Sequence, residues 1–351
     1  MDIKNIKITP QMLGIIAELD EFKGAWNGFV RLCPEQLKAL KKVSTIESIG
    51  SSNRIEGNKL SDAEIEKLLS HINRKSFKSR DEEEVAGYAE LMNIIFDDYS
   101  VIPLSENYIK QMHKILLQYV GKDEAHRGEY KKISNSVAAF DEKGKEIGIV
   151  FETATPFDTP RLMEEITEWT RKNLDDALLH PLLTIGIFIV HFLSVHPFQD
   201  GNGRLSRALT TILLLKKGYT YVSYSSLESI IEASKEGYYR ALRRTQKNIW
   251  DNKVDYEPWL SFFLISLQKQ KKHLEEKIKA AVADDTKLSR TARIILELFD
   301  DNPEWAMSEI IEKLKMNANT ASKNVKSLVD KGYLVKNGGT KSAWYEKNTM
   351  N

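Results

Sequence analysis

His196-Pro-Phe-Gln-Asp-Gly-Asn-Gly-Arg-Leu-Ser-Arg207 decides how this 351-residue chain reads. It follows the apolar run Leu182 to Val195 and opens a second helical pattern. An imidazole, a carboxylate, an amide between two glycines and two arginines therefore share one interhelical loop. Gly201 and Gly203 lack Cβ, so the backbone can turn sharply and bring its amides to an anion. A helix starting near Gly203 adds the positive end of its dipole at the same place. Arg204 and Arg207 lie about one turn apart on that helix, on one side of it. His196 is a candidate general base, because neutral imidazole accepts a proton near pH 7. Asp200 is a hard oxygen ligand suited to Mg²⁺, a role compatible with capping the helix. A Gly-Asn-Gly alone is merely a turn; the fixed offsets of all these groups point to phosphate chemistry.

Outward from the loop, helical periodicity dominates. The pattern predicts helices over Pro10–Lys23 and Pro34–Ile49, the second opened by a proline suited to a first turn. Ser61-Asp-Ala-Glu64 has the capping-box form and predicts a helix to about Ile72. Further helices are expected over Ser79–Asp97, Ser105–Tyr119, Arg161–Asn173, Leu178–Val195, Gly203–Lys216, Ser226–Ala233, Ser234–Lys247 and Asp255–Ala283. Between them, Ser134–Ala139 and Ile147–Phe151 read as two extended pieces joined by the polar turn Asp141-Glu-Lys-Gly144. His191, inside the apolar run, reads as a structural histidine, and Pro197 and Phe198 as shapers of the loop.

After the charged stretch Lys271–Lys287, three short helices are expected at Ser289–Phe299, Met307–Leu314 and Asn319–Asp330. Two extended pieces then flank the turn signal Asn337-Gly-Gly. Three helices and a hairpin resemble a winged helix-turn-helix. Lys323, Lys326, Lys331, Lys336 and Lys341 would suit DNA phosphates. Glu304, Glu309, Glu312 and Asp330 offset them, and only Asn317, Asn319 and Asn324 offer base-reading side chains there. DNA docking and protein docking both stay open.

At every specified position, residues 196–207 resemble the Fic-family signature HPFx(D/E)GNGRxxR. That resemblance implies a mainly α fold, with a Fic-type helical core, a β-hairpin flap and a C-terminal winged helix. The divisions expected are an N-terminal helical region over 1–100, a catalytic core over 101–270 and a winged helix over 285–351. It implies a protein adenylyltransferase, moving AMP from ATP to a hydroxyl side chain of a target protein, with self-modification. His196 and Asn202 would be catalytic, the amide of Asn202 donating to the α-phosphate, and Asp200 would hold Mg²⁺. Glu56, His196, Gly201, Asn202, Gly203, Arg204, Leu205, Ser206 and Arg207 would line the ATP site. The hairpin would pair with an extended target segment. The adenine is expected near the Ile231–Ser234 turn and Tyr238–Tyr239. Ser52-Asn-Arg-Ile-Glu56-Gly57 resembles the family's inhibitory motif, (S/T)xxxE(G/N), in which Glu56 would pair with Arg207 and exclude the γ-phosphate. Taken alone, a serine and a glutamate four apart are usually a solvated helix face. The alternatives are a nucleotide-sensing DNA-binding regulator, or removal of AMP from a modified protein.

Bulk properties narrow the setting. A net charge of +1 draws the chain neither to nucleic acid nor to membrane as a whole. The composition, 42% apolar and 29% charged, is that of a soluble globular protein. The single cysteine, Cys33, excludes an internal disulfide and fits a reducing, cytoplasmic setting, with the thiol read as a small buried hydrophobe. The N-terminus shows no apolar targeting segment, and the apolar run is shorter than the roughly 20 residues that cross a bilayer. No membrane partner is expected, and a homodimer is the default assembly.

Overall fold

A computed structural model describes the chain except residues 1–5, 33, 71–76, 141–145, 251–253, 286–287, 340–342 and 349–351. Cys33, the turn at 141–144 and Lys341 thus lie outside the described residues. The chain divides into two compact units, Met1–Leu274 and Glu275–Asn351. In the first, helices α1 (Pro10–Leu32), α2 (Pro34–Ile55), α3 (Asp62–Ser70), α4 (Arg80–Asp98) and α5 (Glu106–Leu116) precede the hairpin β1 (Ser136–Phe140) and β2 (Glu146–Glu152). There follow α6 (Thr159–Asp176), α7 (Pro181–Val195), α8 (Asn202–Lys216), α9 (Leu227–Ala233), α10 (Lys235–Gln246) and α11 (Glu257–Asp285). No described helix is long and apolar enough to cross a membrane.

The core is built on α7. Pro181 supplies the first turn without a wasted donor, and Leu182 through Val195 are all buried. A helix apolar on every side belongs inside a protein. Each fully buried Leu, Ile or Phe there contributes about 1.5–3 kcal/mol relative to exposure. Gly186 admits α11, since its carbonyl accepts the Trp259 indole N–H at 2.7 Å and a Cβ would stand 2.7 Å from Leu260 Cδ2. His191 is buried with Nε2 at 2.8 Å from the Tyr256 hydroxyl, a packing role. α8, buried along almost its whole length, packs beside α7. The loop 196–201 is therefore held at both ends by core helices.

Two elements outrun the expected pattern: α1 continues to Leu32 where Lys23 was expected, and α2 is longer as well. α2 runs to Ile55, one and a half turns beyond Ile49, which carries Ser52 into its last turn and leaves Glu56 just past its end. Gly50 and the serine pair suggest a stop, yet Ser51 and Ser52 are buried and the helix packs against α4 and α9. α3 begins as the Ser61–Glu64 box predicts: the Ser61 backbone N–H donates to Glu64 Oε2 at 2.8 Å.

The second unit contains α12 (Arg290–Asp301), β3 (Glu304–Ala306), α13 (Met307–Leu314), α14 (Ala318–Asp330), β4 (Leu334–Asn337) and β5 (Trp344–Lys347). Ile295, Ile310, Val325, Leu328 and Leu334 form its core. Its sheet has three strands in the order β3-β5-β4, one more than the hairpin expected. Three residues are too few for β3 to show an alternation; pairing with β5 makes it a strand.

Candidate active site

α7 ends where His196 turns into the left-handed region at φ 51°. For a residue with a Cβ that conformation costs about 1–2 kcal/mol, so the surroundings must hold it. Its Nδ1 lies 3.4 Å from the Leu193 carbonyl, against which it can only donate, leaving Nε2 with the free lone pair. Burial first, then the nearby Lys131 ammonium, depress its pKa to about 4, against the opposing pull of Glu56 and Asp200. At neutral pH the imidazole is uncharged.

The next residues close the loop on itself. Asn202, 1% exposed, accepts the Phe198 N–H at 2.9 Å and donates to the Phe198 carbonyl at 2.7 Å. Gly201 adopts φ 78° and donates its N–H to Asp200 Oδ1 at 2.6 Å. These bonds give the loop its shape, and the Asn202 amide keeps its second Nδ2 hydrogen. Phe198 stacks on His113 at 3.8 Å, fixing the loop to α5. His113 Nδ1 accepts the Gly128 N–H at 2.9 Å, so Nε2 carries the proton and donates to the Asp200 carbonyl at 3.0 Å.

At the start of α8, the Leu205 N–H already donates to the Gly201 carbonyl at 2.9 Å. Leu205 is fully buried in the core, and Ser206 Oγ donates to the Gly203 carbonyl at 2.7 Å. The donors left by helix geometry are the N–H groups of Asn202, Gly203 and Arg204. Over this first turn lies the Glu56 carboxylate, whose carbon would be 2.9 Å from a Cβ at position 203. Only glycine at 203 lets the carboxylate settle there.

Arg207 is 4% exposed and completes the arrangement. Its Nε donates to Ser52 Oγ and its Nη2 to the Ser52 carbonyl and Glu56 Oε1, each at 2.8 Å. Burial, the largest influence, disfavours its charge, but Glu56 together with Tyr238 and Tyr88 outweighs it and raises the pKa. Glu228 lies buried nearby, accepting Ser48 Oγ at 2.8 Å, and burial raises its pKa. A void of about 20 Å³ separates Arg207 and Glu228 from Ile231 and Tyr238; it has room for one water and not for a purine. Glu56 is held in place from behind. Arg54, two residues earlier, grips both oxygens of Glu232 at 2.8 and 3.1 Å and Asp62 at 2.8 Å.

Arg204 turns elsewhere. It is 2% exposed, its Nη1 3.1 Å from Glu84 and its Nη2 3.6 Å from Asp200. Arg80 adds a contact to Asp200 Oδ2 at 2.9 Å. Glu84, Arg80 and His113 were not legible in the sequence, because charges in helical patterns read as solvated faces. Asp200 is the one carboxylate of the loop, with a half-exposed side chain. Among the described residues no group of three or more His, Cys, Asp and Glu is arranged to hold a metal. One carboxylate suits Mg²⁺ when phosphate oxygens and water supply the other ligands.

Residues 103–214 match the Fic/DOC family model, and residues 288–335 match a winged helix-turn-helix DNA-binding model. The protein adenylyltransferase Fic of Drosophila willistoni is 27% identical over 251 residues, covering 70% of this chain and 45% of that relative. The chain thus spans under half the length of that curated relative. A crystal structure of a Fic family protein from Desulfovibrio desulfuricans superposes with a TM-score of 0.63 at 22% identity, over 98% of both chains. A Fic domain containing signaling protein from Bacteroides thetaiotaomicron gives 0.60 at 24% identity, over 77% of this chain and 97% of that one. At those identities the superpositions speak for the fold alone.

Proposed function

We propose, from the premise that residues 103–214 of this chain are a Fic/DOC-family domain, that it is a protein adenylyltransferase using ATP, restrained by Glu56. One observation carries the reading: a carboxylate already sits in an anion site made by the first turn of α8 and Arg207, beside a neutral imidazole. An anion site beside a base is what transfer from a nucleoside triphosphate requires.

A target hydroxyl would attack the α-phosphorus, its proton passing to His196 Nε2. The bond from the α-phosphorus to its bridging oxygen breaks, and pyrophosphate leaves. The free amides of α8 and the Arg207 fork stabilise phosphate charge, so placement and electrostatics supply most of the catalysis. Asp200 would hold Mg²⁺ once Arg80 releases its Oδ2, and the ion would supply neutralisation of phosphate charge. The hairpin β1–β2 would present the target segment by main-chain pairing.

Glu56 and a terminal phosphate compete for one guanidinium. Keeping the productive ATP pose near 1% requires a preference of about 2.7 kcal/mol for the closed pair. Glu56→Gly should therefore raise AMP transfer, including self-modification, and His196→Ala in that background should abolish it. Labelled ATP with mass detection of the added AMP reads both. Equal labelling by parent and Glu56→Gly protein removes the brake; ATP binding without transfer in both leaves a nucleotide sensor. A single cysteine and the use of ATP support a reaction in the cytoplasm.

The winged helix supports a second activity. On α14 the side chains of Lys323 and Lys326 are exposed, and the matched model is described as DNA-binding. Duplex DNA should bind with an affinity that falls steeply between 50 and 200 mM salt, as phosphate contacts require. No binding at 50 mM salt assigns this unit to protein docking.

A further inference from the structure

Lys131 is a buried charge that the proposed transfer does not use. Lys131 is 4% exposed, and its described ammonium partners are neutral oxygens. All three ammonium protons are placed: on Asn135 Oδ1 at 2.8 Å, Thr153 Oγ1 at 2.8 Å and the Val195 carbonyl at 2.9 Å. Burial without a counter-ion lowers its pKa to about 8. A buried, unpaired cation is costly, so a neutral residue would be cheaper if packing were its only task.

Its three acceptors come from three places. Asn135 directly precedes β1, Thr153 directly follows β2, and Val195 is the last residue of α7. The same root makes further bonds to the backbone around His196. The Lys131 N–H donates to the Pro197 carbonyl at 2.8 Å, Asn135 Nδ2 to the Phe198 carbonyl at 2.9 Å, and the Ala154 N–H to the Ser194 carbonyl at 3.3 Å. Thr153 Oγ1 closes the hairpin's base on the Asn135 carbonyl at 2.6 Å. The carbonyls before and after His196 are thus held by the two legs of the hairpin, around one ammonium.

We propose that Lys131 is a positioning residue that locks the root of the β1–β2 hairpin to the left-handed turn at His196. Target strand and base are thereby set in one frame. This rests on the adenylyl-transfer reading for what the frame accomplishes, not for its existence. Lysine suits the place because three converging oxygens need three donors in a tetrahedral fan. Glutamine offers two donors in a plane, and arginine a flat fork. The cation also opposes protonation of His196, against Glu56 and Asp200, which favour it; the Leu193 carbonyl favours it too.

The test uses the full chain in the Glu56→Gly background, comparing Lys131 with Lys131→Met and Lys131→Gln. At saturating ATP, Lys131→Met should transfer AMP about a hundredfold more slowly, the scale of loss for misplacing reacting groups by about 1 Å. ATP affinity should stay within twofold. The acid limb of the pH–rate profile should move to higher pH, because His196 loses a neighbouring positive charge. Deuterium uptake at 128–135 and 192–198 should rise together. Lys131→Gln should fall between the two. If Lys131→Met does not fold, Asn135→Ala must loosen the same two peptides together. Transfer at the parent rate, an unmoved acid limb, or uptake rising in one peptide alone overturns the proposal. If the Glu56→Gly protein transfers no AMP at all, the adenylyl-transfer reading falls. Deuterium uptake and the NMR titration of His196 in Lys131→Met then decide the lock by themselves.

Discussion

Glu56, Gly203 and Arg207 show how one small volume is fitted to an anion. The Glu56 carboxylate takes the Arg207 guanidinium and lies over the first turn of α8, and the missing Cβ of Gly203 provides the space. The histidines show the cost of building such a site inside a core. Burial is the leading cause of a lowered pKa at each of three: to about 4 at His113, about 3 at His191 and about 4 at His196. The unfolded chain takes up protons at these groups near pH 6.5, whereas the folded chain refuses them until about pH 4. Their contribution is therefore complete above pH 6.5 and lost as pH falls toward 4. Each group adds a slope of up to about 1.4 kcal/mol per pH unit in that window. Glu228, with its raised pKa, opposes them as one group against three. Denaturant midpoints should drop steadily from pH 7 to pH 5; a flat profile would mean that the imidazoles are not buried neutral.

Between elements, close approach decides the register of the site. α4 brings Arg80 and Glu84 to the loop, and α5 brings His113 beneath it. The two helices meet where Gly87 faces the Leu116 carbonyl, with no room there for a β-carbon. Gly87→Ala must push α4 from α5, at about 1–3 kcal/mol of stability as overpacking usually costs. Urea unfolding reads that loss, and an unchanged midpoint would show that the interface has slack. Gly50 works in the same way on α2, where its backbone passes Asp62 and Arg54 closely. The sequence pattern placed the helix end at Ile49, one residue before it. Only the neighbouring helices show that it is a contact point.

Across the molecule, the helical core, the hairpin and the winged helix were legible in the chain because each follows a local rule. Apolar spacing marks the helices, Ser61–Glu64 caps α3, and the 196–207 loop carries its chemistry within twelve residues. The sequence alone therefore determined the fold class and the family resemblance. It also identified the pairing of Glu56 with Arg207, through a motif that the family resemblance made readable. Tertiary structure alone decided that Asn202 turns inward, that Arg204 faces Glu84, and that Lys131 joins the hairpin to α7. These are contacts between residues far apart in the chain or alternatives for one polar group. Sequence spacing reports which side of a helix a residue occupies; burial and competing partners determine where its hydrogen bonds go.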